Sequence, residues 1–207
     1  MKYFQLFPIN IIEAVLSFIL GFLLYLLTDS IKKPNLQIVT SDPSDLKLPT
    51  GEFRILNLKI INKKKNGILE YFNQTATQVR AKLIFRDYLS KAEMIRIVAR
   101  WNTTREPLTP DYKTIDVGSA LTSPKEVLSP GEEATISVVI RENKDSDCYP
   151  FNNESYLFNK FKKPEWKIKD DKFVVDVLIQ SGEIEKPTEK FLVINKGDLK
   201  QFNITKI

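Results

Sequence analysis

The residues best suited to chemistry lie in one segment, residues 142–171, between two predicted strands. The segment contains carboxylates, amides, lysines, aromatic side chains and Cys148, the single cysteine of the 207-residue chain. The chain has no histidine, which excludes Ser-His and Cys-His catalysis and histidine-ligated metals. One cysteine also excludes an intramolecular disulfide and a cysteine-based zinc site within one chain. Carboxylate and lysine chemistry, cation binding and non-covalent recognition remain.

A calcium site is the first possibility for this segment. Asn143, Asp145, Asp147 and Glu154 occupy positions 1, 3, 5 and 12 of a calcium-loop template. Cys148 stands where the template has its turn glycine, and the flanking elements are predicted strands rather than helices. A polar loop held by its own Asx turns explains the same residues. We therefore expect no metal and no other cofactor.

Catalysis is the second possibility, and the sequence gives it little support. Cys148 lies between two residues, Asp147 and Tyr149, that would not activate a thiol, so a buried small side chain is the favoured interpretation. Carboxylate pairs can be drawn among the acidic residues, but no spacing distinguishes one pair. A membrane-attached hydrolase that uses only carboxylates and lysines stays the alternative function. A small-molecule substrate is not favoured.

A binding surface is the third possibility. Basic and aromatic residues interleave here, and this combination can rest on a membrane or hold single-stranded nucleic acid. The competing interpretation puts the aromatic side chains in the core and leaves the lysines to protect a strand edge. Nucleic acid is not favoured, because the pattern is not specific enough. The candidate interaction residues are Tyr149, Phe151, Tyr156, Phe158, Lys160, Phe161, Lys162, Lys163 and Trp166.

On both sides of this segment, apolar and polar residues alternate as they do in β-strands. These predicted strands must position the segment. One side of each predicted strand is apolar, which is typical of antiparallel sheets packed face to face. The predicted fold is all-β: an immunoglobulin-like antiparallel β-sandwich of about eight strands, with a long loop at 142–171. The predicted strands cover residues 36–40, 53–62, 79–86, 95–101, 134–140, 173–179, 191–193 and 199–205.

The same alternation predicts which side chains are buried. The basic residues between the apolar positions should point outward and need acidic partners or an anionic ligand. The outward set is Arg80, Lys82, Arg86, Arg96 and Arg100. The expected common core is Leu58, Ile60, Ala81, Leu83, Ile97, Ile136, Val138, Val175 and Val177, with Trp101 and Trp166 largely buried.

An apolar segment precedes the predicted sandwich. No residue from Ala14 to Leu27 is charged. With residues 9–13 the segment reaches about 20 residues, enough for a helix to cross a bilayer core of about 30 Å. A cleaved signal peptide is disfavoured, because Lys2 is the only basic side chain before it. The predicted organisation is a short tail at 1–7, a transmembrane helix at 8–28, a juxtamembrane linker at 29–34 and the sandwich at 35–207.

One face of this helix carries small and polar residues. Asn10, Ala14, Ser17 and Gly21 follow a spacing of three or four residues, which allows close helix packing in lipid. The lipid bilayer is thus an expected partner of residues 8–28. Self-association, or pairing with another membrane protein, is expected through this helix-packing face. A chance distribution of small residues is the competing explanation.

The side of the cell membrane that holds the sandwich stays open, with a slight preference for the cytoplasm. Lys2 and the amino terminus balance Lys32 and Lys33 under the positive-inside rule. The absence of disulfides fits a reducing cytosol. Glycosylation sequons hint at the opposite side; they occur at Asn73, Asn102, Asn153 and Asn203.

Three short motifs carry a family resemblance. They are Asp147-Cys148-Tyr149, Asn152-Asn153-Glu154-Ser155-Tyr156 and Pro164-Glu165-Trp166, followed by the strand from Phe173. From about Pro130 onward the chain resembles prokaryotic proteins with one N-terminal transmembrane helix, a β-sandwich and no assigned activity. The resemblance implies the fold and the anchor, and it implies no site residues. The expected function is a single-pass, non-enzymatic interaction or scaffold module.

Overall fold

The computed structural model describes residues 11–109, 114–122, 124–182 and 184–207. Across these ranges a helix, α1 (Ile11–Lys32), precedes twelve strands, and a short helix, α2 (Val117–Ala120), lies between the sixth and seventh strands. The described residues include no helix that is both long enough and apolar enough to cross a membrane.

The strands form two sheets, and all strand pairs are antiparallel. The first sheet contains β1 (Leu36–Thr40), β2 (Ser44–Leu48), β3 (Gly51–Asn62), β6 (Arg100–Trp101), β8 (Glu133–Glu142) and β9 (Cys148–Pro150). The second contains β4 (Ala76–Asp87), β5 (Glu93–Val98), β7 (Glu126–Leu128), β10 (Lys172–Gln180), β11 (Glu189–Ile194) and β12 (Asn203–Lys206). The all-β, two-sheet architecture agrees with the sequence prediction.

The main core lies between the sheets, where both contribute apolar side chains to one cluster. All nine predicted core residues belong to it, and Trp101 and Trp166 are buried as well. The registers behind those predictions are therefore confirmed. They follow from the alternation along β3, β4, β8 and β10, which is the period that a pleated strand imposes.

The chain changes sheets at Ala99. β5 pairs with β4 in the second sheet, whereas β6 pairs with β8 in the first. At the crossing, the Ala99 amide donates to the carbonyl of Ala81 over 2.8 Å. The sequence predicted one strand over 95–101, and the structure shows two strands joined by this residue.

The connection between helix and sandwich is shorter than the predicted linker at 29–34. α1 continues to Lys32, and β1 starts at Leu36. Pro34 explains the stop, because the residue before a proline is disfavoured in helical geometry. The predicted helix start at Pro8 and the tail at 1–7 lie outside the described residues.

Residues 142–171 are more regular than the predicted loop. They hold β9 and three 3-10 turns, at Asn153–Leu157, Asn159–Phe161 and Pro164–Trp166. The first turn has a capping box, in which Asn152 and Ser155 exchange side-chain and backbone hydrogen bonds. Most aromatic side chains of the segment fold back on the outer face of the first sheet, while Cys148, Trp166 and Ile168 join the main core.

Candidate interaction surfaces

The aromatic side chains of residues 142–171 form a second, smaller core. Tyr149 and Phe151 are buried there against Phe53 and Ile140 on the outer face of the first sheet. Phe161 packs edge-on against Phe53, with ring centroids 5.7 Å apart. It also packs edge-on against Phe151, at 5.4 Å. Tyr156 is half-buried and packs against this core, and Phe158 is half-buried as well. Most of the aromatic area is therefore used within the chain.

The three lysines of the candidate surface are all engaged by carboxylates. Lys160 and Lys162 both reach Glu142, at 2.6 and 2.5 Å. Lys162 also lies 2.9 Å from Asp145.

Lys163 belongs to a separate part of the same surface. It pairs with Glu154 at 2.5 Å, and its ammonium lies 4.3 Å from the ring centroid of the buried Trp166. A partner that approached this surface would meet ion pairs rather than free positive charge.

The surroundings favour the charged forms of Glu142 and Lys162. Burial alone would raise the pKa of Glu142, but hydrogen bonds from Lys160 and Lys162 bring it below its ordinary value. Burial alone would lower the pKa of Lys162, but Glu142 and Asp145 bring it above its ordinary value. A general acid needs a protonated carboxyl and a lysine nucleophile needs a neutral amine, so this cluster is poorly suited to either role.

The four candidate calcium ligands contact four different side chains. Asp147 pairs with Lys167, while Asp145 and Glu154 pair with Lys162 and Lys163. The Asn143 side-chain amide donates to Glu52. Within the described part of the chain, no group of acidic, histidine or cysteine residues is arranged to hold a metal ion.

Cys148 is enclosed where the two cores meet. It is fully buried and belongs to the main core, while the next residue, Tyr149, belongs to the second. Its backbone exchanges two hydrogen bonds with Ile168, at 3.1 and 3.0 Å. Burial raises the pKa of the thiol far above its ordinary value. The thiolate needed for nucleophilic attack is thus disfavoured.

Two buried arginines fasten loops to the sandwich. The sequence predicted an outward Arg100, but it is only 6% exposed, because later segments cover the outer face of its sheet. Its guanidinium donates to Asn153 and to the carbonyl of Thr104. Arg141, 2% exposed, donates to Asn195 over 3.1 Å. These contacts go to neutral acceptors and serve positioning.

Two further members of the predicted outward set, Arg86 and Arg96, have the expected acidic partner, whereas within the described residues Arg80 and Lys82 have none and the Arg80 Nε is buried without a hydrogen-bond partner. Arg86 lies 2.7 Å from Asp176 on the neighbouring strand. Arg96 lies 2.9 Å from Glu93 on its own strand. These pairs offset the cross-strand repulsion at Arg86 and Arg96.

Two adjacent clefts lie along the edge where the chain changes sheets. One, of about 210 Å³, is lined by Arg96, Ala120, Asn152 and Trp166 among others. The other, of about 380 Å³, shares Asn153 with it.

The carboxyl groups of the described residues offer no obvious acid for these clefts. Asp116, beside the larger cleft, caps α2, and the hydrogen bond from Ser119 holds the pKa of its carboxyl below the usual range. Wherever the surroundings clearly shift the pKa of a described carboxyl group, the shift is downward. These groups are Asp45, Asp87, Glu93, Asp116, Glu142, Asp145 and Glu189.

The helix-packing residues lie on an open surface. Ala14, Ser17 and Gly21 are exposed on α1, and Asn10 lies outside the described residues. A Cβ atom added at Gly21 would meet nothing within 4 Å. No contact within the described part of the chain therefore requires a small residue at position 21.

Sequence reasoning missed one surface, the hairpin tip from Lys63 to Phe72. Lys63 and Lys64 are exposed there, and Asn66-Gly67 after them is typical of a turn. The structure adds that the tip lies against the end of α1, where the Lys65 ammonium donates to the carbonyls of Ile31 and Lys33. Only the three-dimensional position of β3 reveals this neighbourhood.

Searches of protein-family models, curated proteins and solved structures found no match to this chain. The resemblance to membrane-anchored prokaryotic proteins therefore stays a prediction, and the function rests on the geometry alone.

Proposed function

We propose that this protein is a single-pass, membrane-anchored β-sandwich that acts as a non-enzymatic interaction or scaffold module. One observation carries the proposal: every residue of α1 from Glu13 to Leu27 is exposed. Large apolar side chains point to all sides of the helix, with Phe18 75% and Tyr25 65% exposed. A helix that is apolar all round needs an apolar environment, which the sandwich does not supply.

A bilayer is the environment that fits this helix. The described part of α1 is not by itself long and apolar enough to cross a membrane, so the proposal needs the preceding residues as well. The proposed span starts at Pro8, before the described residues begin. Glu13 and Lys32 flank the apolar stretch and can reach the headgroups. The proposed location is the cell membrane.

The cytoplasmic side is the proposed side for the sandwich. Lys63–Lys65 join Lys32 and Lys33 at the end of α1, and a basic surface suits the anionic cytoplasmic leaflet. One sequon is a poor glycan site in the folded protein, because Asn153 is 5% exposed and both ends of its amide are hydrogen-bonded.

The non-enzymatic part of the proposal rests on the chemistry of the acidic residues. Glu142 and Asp145 beside the candidate surface are ion-paired with lysines, and their pKa values are lowered rather than raised. Partner binding would then use α1, the sandwich, or both. The packing face of α1 favours a second copy or another membrane protein. An immunoglobulin-like relationship, supported by the two antiparallel sheets, is part of this proposal.

Alkaline extraction of the full-length protein from its membranes tests the anchor. Wild type should stay in the membrane pellet. Leu20→Arg with Leu23→Arg should move into the supernatant, because each arginine at a helix centre costs about 2.5–3.5 kcal/mol of insertion free energy. Leu89→Arg is the matched control, since Leu89 is an exposed leucine on the sandwich. Wild-type protein in the alkaline supernatant would contradict the anchor.

A further inference from the structure

The hairpin tip between β3 and β4 exposes apolar side chains that the sandwich does not use. Residues Gly67–Phe72 form a 3-10 helix, and Gly67 to Tyr71 are exposed. Ile68 is 84% exposed, Leu69 44% and Tyr71 92%. Isoleucine, leucine and tyrosine side by side make an apolar knob with a polar rim, which is the composition of interfacial membrane contacts.

Hydrogen bonds fix the position of the tip relative to the end of α1. The Lys65 ammonium donates to the carbonyls of Ile31 and Lys33, at the end of the helix, and to that of Phe72 over 3.2 Å. The Asn73 side chain holds the backbone of Lys65, accepting its amide over 2.7 Å and donating to its carbonyl over 3.3 Å. These bonds hold the two sides of the tip together and hold the tip against the end of α1. If α1 spans a bilayer, the tip sits where the helix leaves it.

The charge of this region is positive. Lys32, Lys33 and Lys63–Lys65 contribute five positive charges, against Asp29 and Glu70. Lysines next to a membrane surface are attracted to anionic headgroups within about one Debye length. Apolar and basic groups thus occur on the same surface, as an anionic bilayer requires.

We propose that the hairpin tip Lys63–Phe72 is a second membrane contact that docks on the surface of an anionic lipid bilayer. This inference rests on the proposed anchor. Ile68, Leu69 and Tyr71 enter the interface, while Lys63 and Lys64 meet the headgroups. Two contacts, helix and tip, fix the orientation of the sandwich on the membrane, which a single tether would leave free.

Single-cysteine labelling of the full-length protein tests the docking. Native Cys148 is fully buried, so an introduced cysteine can be labelled selectively with an environment-sensitive fluorophore. Three variants are needed: Ile68→Cys at the tip, Leu20→Cys in α1 and Leu89→Cys as the control. Leu89 is 85% exposed in the hairpin that follows the far end of β4. That strand places it roughly 36 Å away from the tip.

The labelled proteins are reconstituted in vesicles of phosphatidylcholine with phosphatidylserine, and quenching by spin-labelled lipid is measured. Probes at positions 20 and 68 should be quenched, and the probe at 89 should not. Quenching at 20 with none at 68 overturns the docking and leaves the anchor standing. No quenching at 20 and 68 overturns both.

The charge dependence is the second measurement. Lys63→Gln in the Ile68→Cys protein should lower the ratio of docked to undocked tip about fivefold, the effect of one lysine near an anionic surface. Vesicles of phosphatidylcholine alone should lower it further. Unchanged quenching in both cases would show that anionic lipid is not what the tip recognises.

Discussion

At the scale of single residues, charged side chains in this protein act mainly in positioning. Glu142 is 8% exposed, yet two ammonium groups lie within 2.6 Å of its carboxylate. It ends β8, while Lys160 and Lys162 belong to the folded-back segment. The cluster therefore ties that segment to the sheet, and its strength depends on the charge of Glu142.

Glu142→Gln should reduce stability in a pH-dependent way. The pKa of Glu142 in the folded protein lies below the 4.5 of a free glutamate. Its contribution is therefore present above pH 4.5 and is lost as the pH falls through the lowered folded value. At pH 7 the variant should lose about 1.5–3 kcal/mol of unfolding free energy, as for hydrogen bonds to charged groups. The two proteins should converge only once the pH has fallen below the lowered folded pKa of Glu142.

Urea unfolding of the full-length protein in detergent, followed by tryptophan fluorescence, measures both curves. Glu165→Gln is the control, since Glu165 is an exposed carboxylate of the same segment. A loss that stays equal from pH 7 down to the lowest pH at which both proteins remain folded would show that the ionised form of Glu142 is not the stabilising one.

At the scale of elements, the alternation of apolar residues predicted most strands and their inward faces. It missed the change of sheet at Ala99 for a physical reason. Both sheets point their inner faces at one core, so Ile97, Ala99 and Trp101 keep a period of two across the crossing. The alternation also missed β9. All three residues of this strand are buried between the two cores, so its sequence shows no alternation of apolar and polar residues.

At the candidate interaction surface, too, the sequence pattern alone could not predict which side chains are covered. Interleaved lysines and aromatics fitted both a binding surface and an internal layer, and the sequence could not choose between them. The deciding fact is that Phe53 and Ile140 form an apolar patch on the outer face of the first sheet. Whether a sheet face is covered depends on distant segments, which local periodicity does not record.

Gly21→Leu tests the packing face of α1. Leucine should hold neighbouring helices apart while leaving insertion intact, because it favours the bilayer. The open space at Gly21 means that the change disturbs no contact within the chain. Crosslinking of the full-length protein in membranes should therefore yield severalfold less crosslinked species.

Leu23→Ala is the matched control, because residue 23 lies about 200° around the helix from residue 21. It should leave crosslinking unchanged. If Gly21→Leu also leaves it unchanged, the small residues do not form a packing face, α1 is a plain tether, and any partner must meet the sandwich.

At the scale of the whole molecule, two cores share the first sheet. The main core lies on its inner face, and the second core lies on its outer face under residues 142–171. Asn195, which follows β11 of the second sheet, donates its side-chain amide to the carbonyl of Ser146 in that segment over 2.9 Å and accepts a hydrogen bond from Arg141 of the first sheet. The folded-back segment is thus linked to both sheets, and we expect it to unfold with the sandwich rather than alone.

Thiol labelling of Cys148 measures this cooperativity. Exposing Cys148 requires the main core to open and its hydrogen bonds with Ile168 to break. The opening free energy from labelling should therefore equal the global unfolding free energy from urea under the same conditions. Ser146→Cys in a Cys148→Ala background is the control; Ser146 is exposed, so its cysteine should react without unfolding. Labelling of Cys148 at an opening free energy well below the global value would mean that residues 142–171 detach alone, and these residues would then form a mobile cover with a hidden apolar surface beneath it.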